Sequence, residues 1–255
     1  MLEARAKTMS VAATGALWRI ASTRMPTRWG MFEAIGFERD VWDSPPRVET
    51  ALAIVMGDVT EGAPLLRIHS QCFTGEVLGS LRCGCGGQLE MAMQAIAERD
   101  RGLVIYEYQE GRGIGLMAKL EAYELQDAGL DTVEANHALG FKADYRDFSL
   151  PAAVLCELGI KRVRLLSNNP RKAKALADNG IEVVATLACE AAPNPHSFAY
   201  LRTKKERMGH ALSLQQGEST VQITDLPALR WSRTAADISD LNSRDRNRRT
   251  ADVAS

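Results

Sequence analysis

A mixed α/β fold, α+β in the order of its elements, is what this sequence predicts: a mostly antiparallel N-terminal sheet joined to an alternating strand–helix layer. Two observations carry the prediction. Residues 23–66 alternate apolar and polar positions between glycines and prolines, the period of strands. From residue 86 the apolar period becomes helical, and helical and strand-like segments then take turns. With 255 residues, 45% hydrophobic, 25% charged and a formal net charge of −1, the chain can bury a sizeable core. That balance carries no general pull toward nucleic acid or membrane, so any anion site must be built locally. No window is apolar enough to span a bilayer, and residues 1–22 lack a convincing signal-peptide core, so a cytoplasmic protein is expected.

Taken in order, residues 1–22 read as a loose leader. Trp29-Gly-Met-Phe-Glu-Ala-Ile-Gly-Phe and Ala51-Leu-Ala-Ile-Val-Met-Gly read as strands. Leu89, Ala92, Met93 and Ile96 recur at i, i+3, i+4, i+7 and predict one buried helix face. Leu103-Val-Ile-Tyr is a short buried strand, followed by a helix near 115–128 that Gly129 stops. Pro151 opens a helix ending at Gly159, and Arg162-Val-Arg-Leu-Leu is a strand. Asn169 and Pro170 suit the N-cap and first residue of a helix that closes near Gly180, before the strand Ile181-Glu-Val-Val-Ala. One folded domain over 23–211 is therefore expected. Residues 212–255, dominated by Ser, Thr, Asn, Asp and Arg, read as a mobile tail, with a functional basic arm at Arg244-Asp-Arg-Asn-Arg-Arg as the alternative.

Five cysteines, an odd number, argue against a disulfide framework. Cys156 and Cys189 stand alone in apolar surroundings, as small core residues do. Cys72, Cys83 and Cys85 fall close together, and the glycines at 84, 86 and 87 let the backbone wrap so that thiolates converge. Three thiolates without a fourth ligand match a catalytic zinc site with one position open for water. Two alternatives stand beside it: reduced cysteines in a tight turn, and a closed site that recruits His69.

Three further segments carry chemistry. Glu110-Gly-Arg-Gly-Ile-Gly is a glycine-rich turn between strand and helix that suits close approach to phosphate, although many such turns are glycine-rich for steric reasons alone. It is neither a P-loop nor a dinucleotide fingerprint. Ser167-Asn-Asn-Pro-Arg-Lys offers free N–H groups and cations at a helix start, or merely a solvated basic face. Asp144-Tyr-Arg146-Asp147 holds a carboxylate beside a guanidinium, as a proton acceptor or as a structural salt bridge. Tyr123, spaced with Leu116 and Leu120, reads from pattern alone as a core tyrosine. His137 reads as structural.

The runs Arg67-Ile-His-Ser-Gln-Cys-Phe-Thr-Gly-Glu, Ser80-Leu-Arg-Cys-Gly-Cys-Gly and Gln109-Glu-Gly-Arg-Gly-Ile-Gly-Leu resemble segments of the GTP cyclohydrolase II family. So do Asp131-Thr-Val-Glu-Ala-Asn, Lys142-Ala-Asp-Tyr-Arg-Asp-Phe and Ser167-Asn-Asn-Pro-Arg-Lys, all in the family's order from about Thr23 to His210. The resemblance implies the family's fold and a catalytic domain. It implies hydrolysis of GTP to 2,5-diamino-6-ribosylamino-4(3H)-pyrimidinone 5′-phosphate with release of formate and pyrophosphate, the first step of riboflavin biosynthesis. It also implies one zinc per chain on Cys72, Cys83 and Cys85 with a water, magnesium accompanying the triphosphate, and a homodimer. Arg67, Ile68, His69, Ser70 and Gln71 would border the nucleotide, and Gln88 would read guanine. Glu110, Gly111 and Arg112 would form a second binding turn that Thr132, Ser167 and Lys172 complete. Asp144 takes the place of the proton acceptor, Arg146 that of the nucleophile, and Tyr123 that of a tyrosine tied to completing ring opening. Because guanidinium is protonated at any working pH, Arg146 equally suits stabilising charge on a phosphoryl group.

Four positions depart from the family's commonest residues: Gln71 for Glu, Gly84 for Asp, Glu76 for Asp and Ser167 for Thr. The first two remove carboxylates beside the cysteine loop. They keep two rivals open, a cyclohydrolase with another substrate or stopping at the formamide intermediate, and a non-catalytic zinc or nucleotide-binding protein.

Overall fold

The computed structural model describes residues 8–12, 15–42 and 46–213, with side chains from 16 onward. Strands β1 (Thr8–Ala12), β2 (Gly15–Thr27), β3 (Gly30–Val41) and β4 (Arg47–Met56) form an antiparallel meander. After it come β5 (Leu65–Ser70), the single turn α1 (Phe73–Glu76), α2 (Cys85–Ala97) and β6 (Gly102–Glu107). Next are a 3-10 turn at Glu110–Gly113, then α3 (Leu116–Asp127), α4 (Thr132–Ala138) and α5 (Ser149–Glu157). Strand β7 (Arg162–Leu166), α6 (Pro170–Asp178), β8 (Glu182–Leu187) and α7 (Phe198–Met208) finish the described chain.

Among the described residues the strands make one eight-stranded sheet in the order β1-β2-β3-β4-β6-β5-β7-β8. The expected antiparallel sheet and α/β layer are therefore one surface. They join where β4 pairs antiparallel with β6, with Ala53 opposite Ile105. Beyond that seam β6, β5, β7 and β8 run parallel. Parallel strands covered on both faces read as continuous apolar runs, and β5 and β6 are buried almost throughout. Leu66, Ile68 and Leu165 pack into one core with Val154 and Leu155 of α5 and Leu176 of α6. Ala92, Met93 and Ile96 of α2 are buried as the helical period requires.

Several boundaries move from expectation. Residues 15–22 are not a loose leader but the first half of β2, because pairing with β3 buries Leu17 to 1% exposure. At the other end, Leu212 is buried and the Ser213 hydroxyl donates to Glu190 Oε2 at 2.6 Å, so the folded part passes 211. The expected tail beyond 213, with its arginine run, lies outside the described residues. Helix α5 starts at Ser149, two residues before Pro151, which fits because a proline in the first turn removes no helical hydrogen bond. The Asn169 cap holds: its Oδ1 accepts from the Arg171 N–H at 3.0 Å, with Pro170 first in α6.

Candidate active site

Parallel strands present ligands with a crevice beyond their carboxyl ends. Here β5, β6 and β7 run out at Ser70, Glu107 and Leu166, and the segments that follow each line one cavity.

Cys72 caps α1 directly after β5, Cys83 lies in the next loop, and Cys85 opens α2. Their sulfurs lie within 4.8 Å of one another, with Cys72 and Cys83 3.6 Å apart. A tetrahedral zinc with Zn–S bonds of about 2.3 Å needs sulfurs about 3.8 Å apart, so the trio fits. Among the described residues no other His, Cys, Asp or Glu joins this group. His69 is turned to other partners: Nε2 lies 2.8 Å from Glu76 Oε1, and Nδ1 faces Arg67 Nε at 3.4 Å. Burial lowers its pKa to about 4, and the neutral ring stacks on Tyr106 outside the sulfur group. Hydrogen bonds from Cys83 and Cys85 and the charge on Lys119 hold the Cys72 thiol far below its ordinary value. Lys119 Nζ sits 3.3 Å from that sulfur and donates to Glu110 Oε1 at 2.8 Å.

Gly75 floors the sulfur trio. A Cβ there would stand 2.9 Å from Cys83 Sγ and 3.3 Å from Cys72 Sγ. Overpacking of this kind costs about 1–3 kcal/mol. Gly75→Ala should therefore weaken zinc binding roughly tenfold or more, as read by competition with a chromogenic chelator, while the thermal unfolding of zinc-free protein changes little. Gly84 has a packing reason: a Cβ there would come within 3.0 Å of Ala191 Cβ.

Around the thiols the cavity gathers most of the expected residues. Arg67, His69 and Ser70 line it from β5 and Gln71 from just beyond that strand, with Gln88 from α2. Glu110, Gly111 and Arg112 line it from the 3-10 turn, and Tyr123 and Thr132 from α3 and α4. Arg146, Ser167 and Lys172 complete the lining. Two expected residues do not reach it. Ile68 has 0% exposure and joins the core, because alternate residues of a strand face opposite ways and Arg67 and His69 take the site face. Only its carbonyl serves, accepting from Lys172 Nζ at 2.8 Å. Asp144 lies behind Arg146, accepting from its Nε and Nη2 at 2.9 and 2.8 Å and pairing with Arg171 at 2.8 Å. Burial raises the Asp144 pKa and the two arginines lower it, with a net fall.

The orientations of the remaining groups are set by the protein. Gln88 Oε1 accepts from Arg67 Nη2 at 2.9 Å and its Nε2 donates to the Cys189 carbonyl at 3.0 Å, which defines the amide's two ends. The Glu110 carboxylate is taken by Lys119 and by the N–H groups of Phe73 and Gly111. Arg112 has φ 63°, a conformation that costs a non-glycine residue about 1 kcal/mol or more, and its Nη1 and Nη2 are buried without an acceptor. Tyr123 is half-buried between Arg82 and Lys119, with Leu120 exposed on the same helix, so it faces the cavity and not the core. Burial raises its phenol to about 12.

Sequence reasoning missed Lys119 and Asn136, and on the last helix Tyr200 and Lys204, all of which line the cavity. Lys119 stands four residues before Tyr123, a spacing that sets the two on one helix face. No local signal points to α7.

The profile of the family described as GTP cyclohydrolase II matches residues 18–188. A GTP cyclohydrolase-2 of Shewanella amazonensis is 50% identical over 195 residues, covering 76% of this chain and 93% of the relative. One from Shigella boydii is 49% identical over 198 residues, 77% and 98% of the two chains. A riboflavin biosynthesis protein RibBA of Salinispora arenicola is 48% identical over 199 residues, 77% of this chain and 46% of that longer one. Of solved structures, a two-domain 3,4-dihydroxy-2-butanone 4-phosphate synthase from A. baumannii aligns with a TM-score of 0.38 and 18% identity, over 69% and 40% of the chains.

Proposed function

The chain belongs to the GTP cyclohydrolase II family, and from that membership we propose that it hydrolyses GTP to 2,5-diamino-6-ribosylamino-4(3H)-pyrimidinone 5′-phosphate, formate and pyrophosphate, the entry reaction of riboflavin biosynthesis. One observation carries the reading: three convergent thiols share a cavity with an oriented amide and several cations at the carboxyl ends of the parallel strands. Zinc on Cys72, Cys83 and Cys85 would supply a Lewis acid and an activated water near neutral pH.

The chain's own groups divide the remaining work. Gln88, its amide set by Arg67 and the Cys189 carbonyl, presents a donor and an acceptor to the guanine edge. Tyr123 holds its proton at working pH and can donate it from the phenol oxygen to a nitrogen of the opening ring. Arg146 is kept charged, because Asp144 outweighs the burial that opposes its charge. A permanent guanidinium favours stabilising the phosphoryl charge as pyrophosphate leaves over acting as nucleophile. Asp144 then acts through Arg146, aligning its fork. Magnesium accompanies the triphosphate in this proposal, and a cytoplasmic homodimer completes it. Among the described residues no helix is long and apolar enough to cross a membrane.

Product analysis tests the reading. Protein carrying about one zinc per chain, incubated with GTP and magnesium, should yield formate, pyrophosphate and the diaminopyrimidine in equal amounts. A formamide product, or turnover of another nucleotide in preference to GTP, would replace it with the related activity that Gln71 and Gly84 suggest. Zinc and nucleotide binding without any product would make the protein a binding module.

A further inference from the structure

The fold brings one helix to the cavity from outside the sheet. Tyr200, Leu201 and Lys204 of α7 and His210 and Leu212 after it all line the space beyond the strand ends. This segment is docked. Leu201 and Leu212 are buried, and Asn168 in the turn after β7 exchanges hydrogen bonds with the backbone of Ala211, at 2.6 and 3.0 Å. Arg207 pairs with the Asp131 cap of α4. The cavity therefore has a wall made of chain that follows the last strand.

Charge on that wall is unbalanced. Lys204 lies 4.4 Å from the centre of the Tyr200 ring, and Arg112 approaches the same ring at 5.3 Å. Among the described residues Lys204 forms no ion pair with a carboxylate, and Arg112 leaves two buried guanidinium nitrogens without acceptors. Burial disfavours the charged form of His210, and Lys204, Arg146, Arg112 and Lys172 around it add to that. Buried donors without acceptors are rare and call for a partner the chain does not supply. Gln88 and the cysteines line the same cavity, and in the cyclohydrolase reading they take the base.

We propose that α7 closes the nucleotide pocket over the polyphosphate, with Lys204, seated on Tyr200 beside Arg112, as a residue that grips the terminal phosphates. The proposal rests on the cyclohydrolase reading and names a specificity element within it: Lys204 makes the site prefer a triphosphate to a monophosphate. Binding of a β- or γ-phosphate gives Lys204 and Arg112 the anion that neither has now.

Lys204→Ala keeps a good helix former at an intermediate-exposure position, so folding should survive. Lys205→Ala, on the exposed side of α7, is the control. The measurements are KM and kcat for formate release from GTP, inhibition by pyrophosphate, and calorimetric binding of GMP and of the α,β-methylene analogue of GTP. Lys204→Ala should raise the KM for GTP and the dissociation constant of the analogue by roughly 10- to 100-fold, the loss expected for charge-assisted contacts. Pyrophosphate inhibition should weaken in step, while kcat changes less than threefold or so and GMP binding holds. Lys204→Arg should restore most of the loss. If GMP and the analogue weaken equally, or neither weakens, α7 is only a structural cover and the proposal is overturned. Should the unaltered protein convert no GTP, the cyclohydrolase reading fails instead, a result the same assays separate from failure of Lys204.

Discussion

Cys83→Ser is expected to abolish formate release from GTP, with turnover falling at least a thousandfold or so and zinc content dropping below about a tenth of an equivalent. Among the described residues three sulfurs converge in the cavity, and Cys83 lies 3.6 Å from Cys72. Two thiolates cannot recruit a substitute, because His69 is engaged by Glu76 and Arg67. A serine hydroxyl is far less acidic than a thiol and stays protonated where a ligand must be an anion. The fold itself should hold, since the cysteine loop lies outside the main apolar core. Zinc analysis, circular dichroism and formate assay on one preparation check all three points. A variant that keeps full formate release would end the zinc reading outright.

Arg146→Ala is expected to destabilise the protein by about 3–5 kcal/mol at neutral pH and to cut pyrophosphate release by a hundredfold or more. The Arg146 and Asp144 side chains are 11% and 6% exposed, so removing the guanidinium leaves a buried carboxylate with only half-exposed Arg171 beside it. The pH dependence has a definite sign. Asp144 has a lowered pKa in the folded protein. Its pairing therefore contributes stability above its ordinary value of 3.8, and loses it as pH falls through the lower folded value. Denaturant midpoints of the two proteins should differ fully at pH 7 and converge toward that acid range. Equal midpoints at pH 7 would mean that the pair adds nothing. Arg146→Lys should recover part of the stability but little of the activity, because an ammonium cannot reproduce the two-pronged contact.

What the sequence made legible was local. Cys83, Gly84 and Cys85 carry their own geometry, so the metal group could be read without tertiary knowledge, and the Asn169–Pro170 helix start follows from capping alone. The strands of the seam, Ala51–Met56 and Leu103–Tyr106, were visible in their apolar runs, but their pairing was not, since nothing local says that β4 lies beside β6. Family likeness sets the run 67–71 at the site as a whole, whereas strand alternation separates Ile68 from Arg67 and His69. Gln88, Thr132 and Tyr123 came from family likeness, not spacing. Lys204 and Tyr200 reach the cavity only because Leu201 and Leu212 dock a distant helix, a tertiary event with no local mark.

The left-handed turn at Arg112 has an outcome for the protein's endurance. Its backbone is held in a conformation that glycine would occupy more comfortably, and its guanidinium is shut away from water with donors to spare. An anion that reaches the guanidinium would satisfy those donors, while the backbone cost stays. A nucleotide bound there would therefore add to heat tolerance in proportion to its occupancy, through mass action alone.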